Sequence, residues 1–253
     1  MSNAETEQDD EIHVCTDREL PPELDEEAAR LASLENPAND VGTGDRIALA
    51  KAKKWLPGRT LRVRFLDGSE IMQDKVKHYA NIWSQHANIK FDFGPWKSSH
   101  IRISFYADKG SWSALGTDAL VQSYFPLNQP TMNYGWLRDN TADAEYSRVV
   151  IHEFGHALGA IHEHQNPKGG LKWNTAAVYT YFRGSPNFWN DAKIEHNILK
   201  KYDLDQLQGT KYDPDSIMLY SFPGKLMADG KPTKSNTVLS AMDIAGIKAA
   251  YPR

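Results

Sequence analysis

Residues 152 to 162 read His-Glu-Phe-Gly-His-Ala-Leu-Gly-Ala-Ile-His, and no other stretch restricts the fold of this chain as tightly. Side chains four apart lie on one face of a helix, so His152 and His156 can aim two ring nitrogens at a single point. Val150, Phe154, Ala157 and Leu158 fall largely on other faces and suit burial. His162 stands ten residues beyond His152 and would miss that point if the helix ran on. Gly159 supplies the break, because glycine adopts positive φ at little steric cost and can turn the chain back.

Three neutral imidazoles with one open position make the ligand set of a catalytic zinc rather than a closed structural one. Glu153, beside the first histidine, is then the general base that takes a proton from the attacking water and passes it to a leaving amine. The chemistry implied is hydrolysis of an amide bond. A bare H-E-x-x-H arises by chance in surface helices, whereas the eleven-residue form adds three features with separate physical reasons. The competing function is a catalytically silent, zinc-stabilised peptide-binding module. A purely structural site has no need of Glu153, which argues against it.

Further along, Ser216-Ile217-Met218-Leu219-Tyr220 completes a pattern that resembles the metzincin zinc proteases. Glu163 directly after the third histidine, and Tyr220 two residues after Met218, resemble the astacin-like branch. Taken alone, Met218 and Tyr220 read as core residues at a strand end. The resemblance covers most of residues 58–253, including Gly110-Ser111-Trp112-Ser113 and a helix from Leu239 to Tyr251. It implies an α+β fold: a twisted mixed sheet with an active-site helix and a cleft between two subdomains. It also implies that Met218 floors the zinc site and that Tyr220 is a switchable ligand that turns to the oxyanion. Glu163 would meet a new N-terminus after processing, and substrate would add as a strand at an edge expected in residues 114–125.

Two departures from that family matter. Cys15 is the only cysteine, so no intramolecular disulfide can form, and no prosegment aspartate motif is recognisable. A thiolate is a strong zinc ligand, so Cys15 in Cys15-Thr16-Asp17-Arg18 is a candidate inhibitory ligand that keeps a zymogen silent, loosely like the cysteine switch of matrixins. The plain alternative is an incidental thiol on a flexible arm. Residues 1 to 40 carry thirteen Asp and Glu against Arg18 and Arg30, giving -11 against +7 for the remainder. An acidic N-terminal segment, 1–57, a solvated tail or a propeptide docked on the basic body, is expected to precede a catalytic domain over 58–253.

The chain pattern supports that division. Leu24, Ala28, Leu31 and Leu34 have helical spacing that Asn36-Pro37 stops, and residues 1–12 read as disordered. Strands are expected at 61–65, 89–93, 101–105, 119–125 and 131–136, and helices over 72–83 and 144–158. His164 reads as a capping or surface histidine. The tryptophans lack an accompanying basic stripe, which excludes a nucleic-acid partner. No apolar run approaches the roughly 20 residues of a membrane span, and no signal peptide is recognisable. The expected partner is a protein or peptide substrate met by a monomer, secreted or exported if the resemblance holds.

Overall fold

Alternation in Thr60–Phe65 (β1) buries Leu61 and Val63 and sends Arg62 to solvent. The computed structural model describes residues 15–16, 18–40, 51–185, 187–201 and 211–253. Before β1 comes a helix, Asp25–Glu35 (α1), with three acidic residues in its first turn, where the helix dipole favours them. After β1, Ser69 caps Glu70–His86 (α2) by accepting from the Met72 N–H, and Met72, Val76, Ala80 and Trp83 form its buried stripe.

Lys90–Phe93 (β2), Ile101–Ser104 (β3), Trp112–Ser113 (β4) and Met132–Asn133 (β5) complete a five-stranded sheet in the order β2-β1-β3-β5-β4. Only β4 runs antiparallel to its neighbour, which makes the sheet mixed. Asp143–Ala157 (α3) packs against α2, and the Trp83 indole N–H donates to the Ile151 carbonyl at 2.8 Å. A second, smaller core gathers Val178 and Phe182 from Thr175–Arg183 (α4), Ile194 from Asp191–Ile194 (α5), and Phe222, Leu226 and Met227. Ala241–Ala250 (α6) closes the chain. Among the described residues, no helix is long and apolar enough to cross a membrane.

Several expectations need correction. Residues 119–125 are no strand: Gly116–Leu120 is a 3-10 helix, and the sheet edge on this side is β4, Trp112–Ser113. The Lys53 ammonium reaches into that helix to meet Asp118 at 2.6 Å, a long-range pairing that local pattern does not reveal. β3 is buried on both faces, because it is central and the Arg102 guanidinium is satisfied by the carbonyls of Ser99, Phe125 and Gln129. α1 buries Ala28 and Ala32 and leaves Leu34 exposed, since small side chains let it close against Gly116–Leu120. Met218 and Tyr220 sit in a turn and the coil after it, not at a strand end. Residues 1–12 lie outside the described part of the chain.

The end of α3 is built with unusual care. Gly159 has φ +91°, its N–H donates to the His156 carbonyl, and the Ala160 N–H donates to that of Gly155, the double bond of a Schellman cap. The Trp55 indole donates to the Ala157 carbonyl at 2.8 Å and the Tyr251 hydroxyl to that of Leu158 at 2.7 Å. Trp55 is fully buried in the main core. Trp55→Ala is therefore expected to cost about 3–5 kcal/mol, read as a fall in the urea midpoint, with Trp55→Phe losing less.

Candidate metal centre

α3 carries His152 and His156 on its inner face, and the capped turn at Gly159 brings His162 back to them. The Nε2 atoms of His156 and His152 stand 3.1 Å apart, and those of His156 and His162 3.0 Å. Each opposite nitrogen faces an oxygen: His152 Nδ1 meets the Ile217 carbonyl at 2.9 Å, His156 Nδ1 that of Ala160 at 2.7 Å, and His162 Nδ1 the Gln165 Oε1 at 3.3 Å. An oxygen acceptor at Nδ1 holds the proton there and leaves the Nε2 lone pair free to bind a metal. Four donors of a tetrahedral zinc lie about 3.3 Å apart, close to the spacing observed. The residues fit such an ion.

Cys15 joins this group, its Sγ and the three histidine nitrogens all lying within 4.8 Å of one another. Its thiol also donates to Glu153 Oε2 at 3.2 Å, so the cysteine sits between the candidate metal point and the candidate base. Tyr220 Oη lies against His162 Nε2 and donates to the Cys15 carbonyl at 2.9 Å. Burial, and then the neighbouring His156 and His162, push the His152 pKa well below its ordinary value. A neutral imidazole is the form a metal ion requires.

Met218 comes up under α3 against Gly155, where an added Cβ would stand 2.5 Å from its sulfur. The close approach explains why the second residue after Glu153 is glycine. Asp243 on α6 pins the Met218 turn, accepting from the Ser216 hydroxyl at 2.7 Å and the Ile217 N–H at 2.8 Å. Glu163 turns away from the three histidines: its carboxylate accepts from the Asp213 N–H and the Asn166 amide, both at 2.9 Å, while its own N–H donates to the Met218 carbonyl. His164 is buried rather than superficial, with Nε2 facing the Asn197 carbonyl at 2.8 Å.

Sequence reasoning thus names the residues that converge, Cys15, His152, Glu153, His156, His162, Met218 and Tyr220, but misses what orients them. Ile217, Ala160 and Gln165 hold the rings through oxygens that no side-chain pattern advertises. It also misses the seat of the N-terminal segment, where the Thr16 N–H donates to the Ser111 carbonyl beside β4 at 3.1 Å and the Arg18 guanidinium lies 4.5 Å over the Trp112 ring.

No family model matches the chain. It is similar to the zinc metalloproteinase nas-24 of Caenorhabditis elegans, 23% identical over 186 residues, a match covering 70% of this chain and 44% of that protein. The chain thus spans less than half the length of that curated relative. Among solved structures, myroilysin is 43% identical with a TM-score of 0.77, covering 81% of this chain and 98% of that one. A hatching enzyme zinc-protease of the medaka Oryzias latipes, high choriolytic enzyme 1, shares the fold at 19% identity and a TM-score of 0.53, covering 79% of this chain and 94% of that one.

Burial, the largest influence, raises the Glu163 carboxyl to about 7 from 4.5, against the opposing bonds from Asp213 and Asn166. The folded state then keeps a proton that the unfolded chain releases between those values, so the contribution is full below about 4.5 and lost as pH rises through 7. The loss is on the order of 3 kcal/mol. Urea unfolding at pH 5 and pH 8 in saturating zinc is expected to show a smaller decline for Glu163→Gln than for the native chain.

Proposed function

The chain belongs to the astacin-like metzincin zinc metalloproteases, and from that membership we propose that it is an endopeptidase captured in its latent form. The reading is carried by one observation: three imidazole Nε2 atoms converge with their Nδ1 atoms tied to oxygens, and the Glu153 carboxylate stands one hydrogen bond from Cys15 beside them. In this reading His152, His156 and His162 hold the zinc. When bound, the ion supplies Lewis-acid polarisation of the scissile carbonyl and makes water acidic enough to attack at neutral pH.

The protein groups do the rest. Glu153 takes the proton from the water and delivers it to the amine nitrogen as the peptide bond breaks. Tyr220, once relieved of Cys15, donates its hydroxyl hydrogen to the oxygen on which negative charge develops. Met218 keeps the floor beneath the histidines apolar and fixed. The edge strand Trp112–Ser113 receives the substrate backbone, as the Ser111 carbonyl now receives the Thr16 N–H.

Latency follows from the same contacts. Cys15 engages Glu153 through its thiol and Tyr220 through its carbonyl, while Thr16 and Arg18 occupy the strand edge. A short piece of chain thereby covers the base, the oxyanion donor and the substrate-binding edge together. Residues 15–40 form the inhibitory part in this proposal, and Trp55, locked in the main core, goes with the catalytic unit. The substrate is a protein or peptide, met by a monomer outside the producing cell.

The full chain with Cys15→Ala is expected to hydrolyse a generic protein substrate faster than the native full chain, and a chelator should abolish the gain. Adding Glu153→Gln should lower turnover about 100- to 10,000-fold with zinc content unchanged. Zinc-loaded Cys15→Ala protein that cleaves nothing would overturn the protease reading. Equal rates with and without Cys15 would overturn the latency.

A further inference from the structure

Asn36 and Asn39 stand just after α1, each only 3% exposed, and both turn their side chains toward the chain that leads into the main core. The Asn36 Nδ2 donates to the Trp55 carbonyl at 3.1 Å and the Asn39 Nδ2 to that of Lys54 at 2.8 Å, while Asn39 Oδ1 accepts from the Lys54 N–H at 3.3 Å. A further donation from Asn39, to the Ala32 carbonyl at 3.0 Å, fixes it to the last turn of α1. Two buried amides thus direct their hydrogen bonds at one dipeptide, Lys54-Trp55. Burial of an amide is unfavourable unless such bonds are made, so the asparagines and the dipeptide hold each other in one arrangement.

Lys54-Trp55 is also the segment that lies against the stop of α3. The Trp55 indole donates to the Ala157 carbonyl at 2.8 Å. Its backbone N–H donates to the Tyr251 hydroxyl at 3.3 Å, which in turn donates to the Leu158 carbonyl at 2.7 Å. The Lys53 carbonyl comes so near two glycines that an added Cβ would collide with it at Gly116 and meet it at 3.6 Å at Gly159. One residue beyond Gly159, the Ala160 carbonyl faces His156 Nδ1 at 2.7 Å. A continuous set of hydrogen bonds and contacts therefore runs from two asparagines of the N-terminal segment to a ring of the candidate metal centre. Cys15 and Thr16, at the other end of that segment, reach the centre and the sheet edge directly.

We propose that Asn36 and Asn39 are positioning residues for the metal centre, acting through Trp55 on the turn that carries Ala160. The stretch 25–39 then belongs to the working enzyme, and only the strap around Cys15 has to leave for substrate to enter. Loss of either amide lets Lys54-Trp55 shift, the helix stop loosens, and the His156 ring loses its fixed direction. A group bonded directly to a metal-binding histidine is worth about 10- to 100-fold in metal affinity, so asparagines acting through Trp55 are expected to be worth less, about five- to tenfold. The effect on turnover rests on the protease reading given above; the effect on metal retention does not.

The test measures zinc release to excess chelator, kcat, KM and the urea midpoint in zinc-loaded full-length chains that all carry Cys15→Ala. Into that background go Asn36→Ala, Asn39→Ala, Trp55→Phe, Asn39→Ala together with Trp55→Phe, and Ser69→Ala, which removes the cap of α2 and whose bonds go to Met72 and Asp139 instead. All are expected to lower the urea midpoint. Each asparagine variant should release zinc about five- to tenfold faster than the parent and lose about fivefold in kcat with KM within about twofold, whereas Ser69→Ala should leave the release rate within about 1.5-fold. On top of Trp55→Phe, Asn39→Ala should add less than about twofold, because the indole bond through which it acts is already gone. Release no faster in the asparagine variants than in Ser69→Ala, or a full additive effect on top of Trp55→Phe, would overturn the proposal. Should Asn39→Ala fail to fold, Asn39→Asp, which keeps the acceptor for the Lys54 N–H and loses the donors, decides in its place. If the Cys15→Ala parent cleaves nothing, the protease reading fails, and the release rates still decide whether the asparagines position the centre.

Discussion

An α-helix can present two histidines to one point, but not a third ten residues on; everything at the centre of this protein depends on stopping α3 in the right place. Gly159 does so with a positive φ, and two hydrogen bonds back to His156 and Gly155 make the stop rigid. The carbonyls released by the stop then find other uses. Those of Ala157 and Leu158 are taken by Trp55 and Tyr251, from opposite ends of the chain, and that of Ala160 orients the His156 ring. The termination of one helix thereby ties the N-terminal approach, the C-terminus and the candidate metal centre into a single hydrogen-bonded unit.

The second constraint is close packing beneath the histidines. Gly155 lets the Met218 sulfur approach the helix backbone, and Asp243 fixes the turn that carries Met218 by accepting from Ser216 and Ile217. The Ile217 carbonyl, on the same turn, orients His152. A carboxylate on α6 thus reaches the first histidine through one turn, without touching it. Glu163 adds a further tie, joining the 3-10 helix after His162 to that turn through its backbone and to Asp213 and Asn166 through its side chain.

The N-terminal segment lies where the two cores meet. Cys15 packs with the smaller core, while Thr16 and Arg18 engage the sheet edge of the larger one. The contacts of Glu19 with His196 and Lys200, at 3.4 and 3.6 Å, are partly exposed and contribute little each. Specific seating therefore comes chiefly from Cys15 and its partners.

The sequence by itself determined the helix that bears His152, Glu153 and His156, the break at Gly159, the convergence of His162, the Met218 turn and the strand-helix-strand order, because these depend on period, on glycine and on residue chemistry over short distances. It also singled out Cys15 as the one thiol. Tertiary structure alone decided that β4 rather than residues 119–125 is the sheet edge, that α1 lies on its alanines, and that His164 is buried. Those outcomes turn on pairings such as Lys53 with Asp118, on carbonyl acceptors and on packing between segments far apart in the chain, and such long-range partners leave no trace in local periodicity.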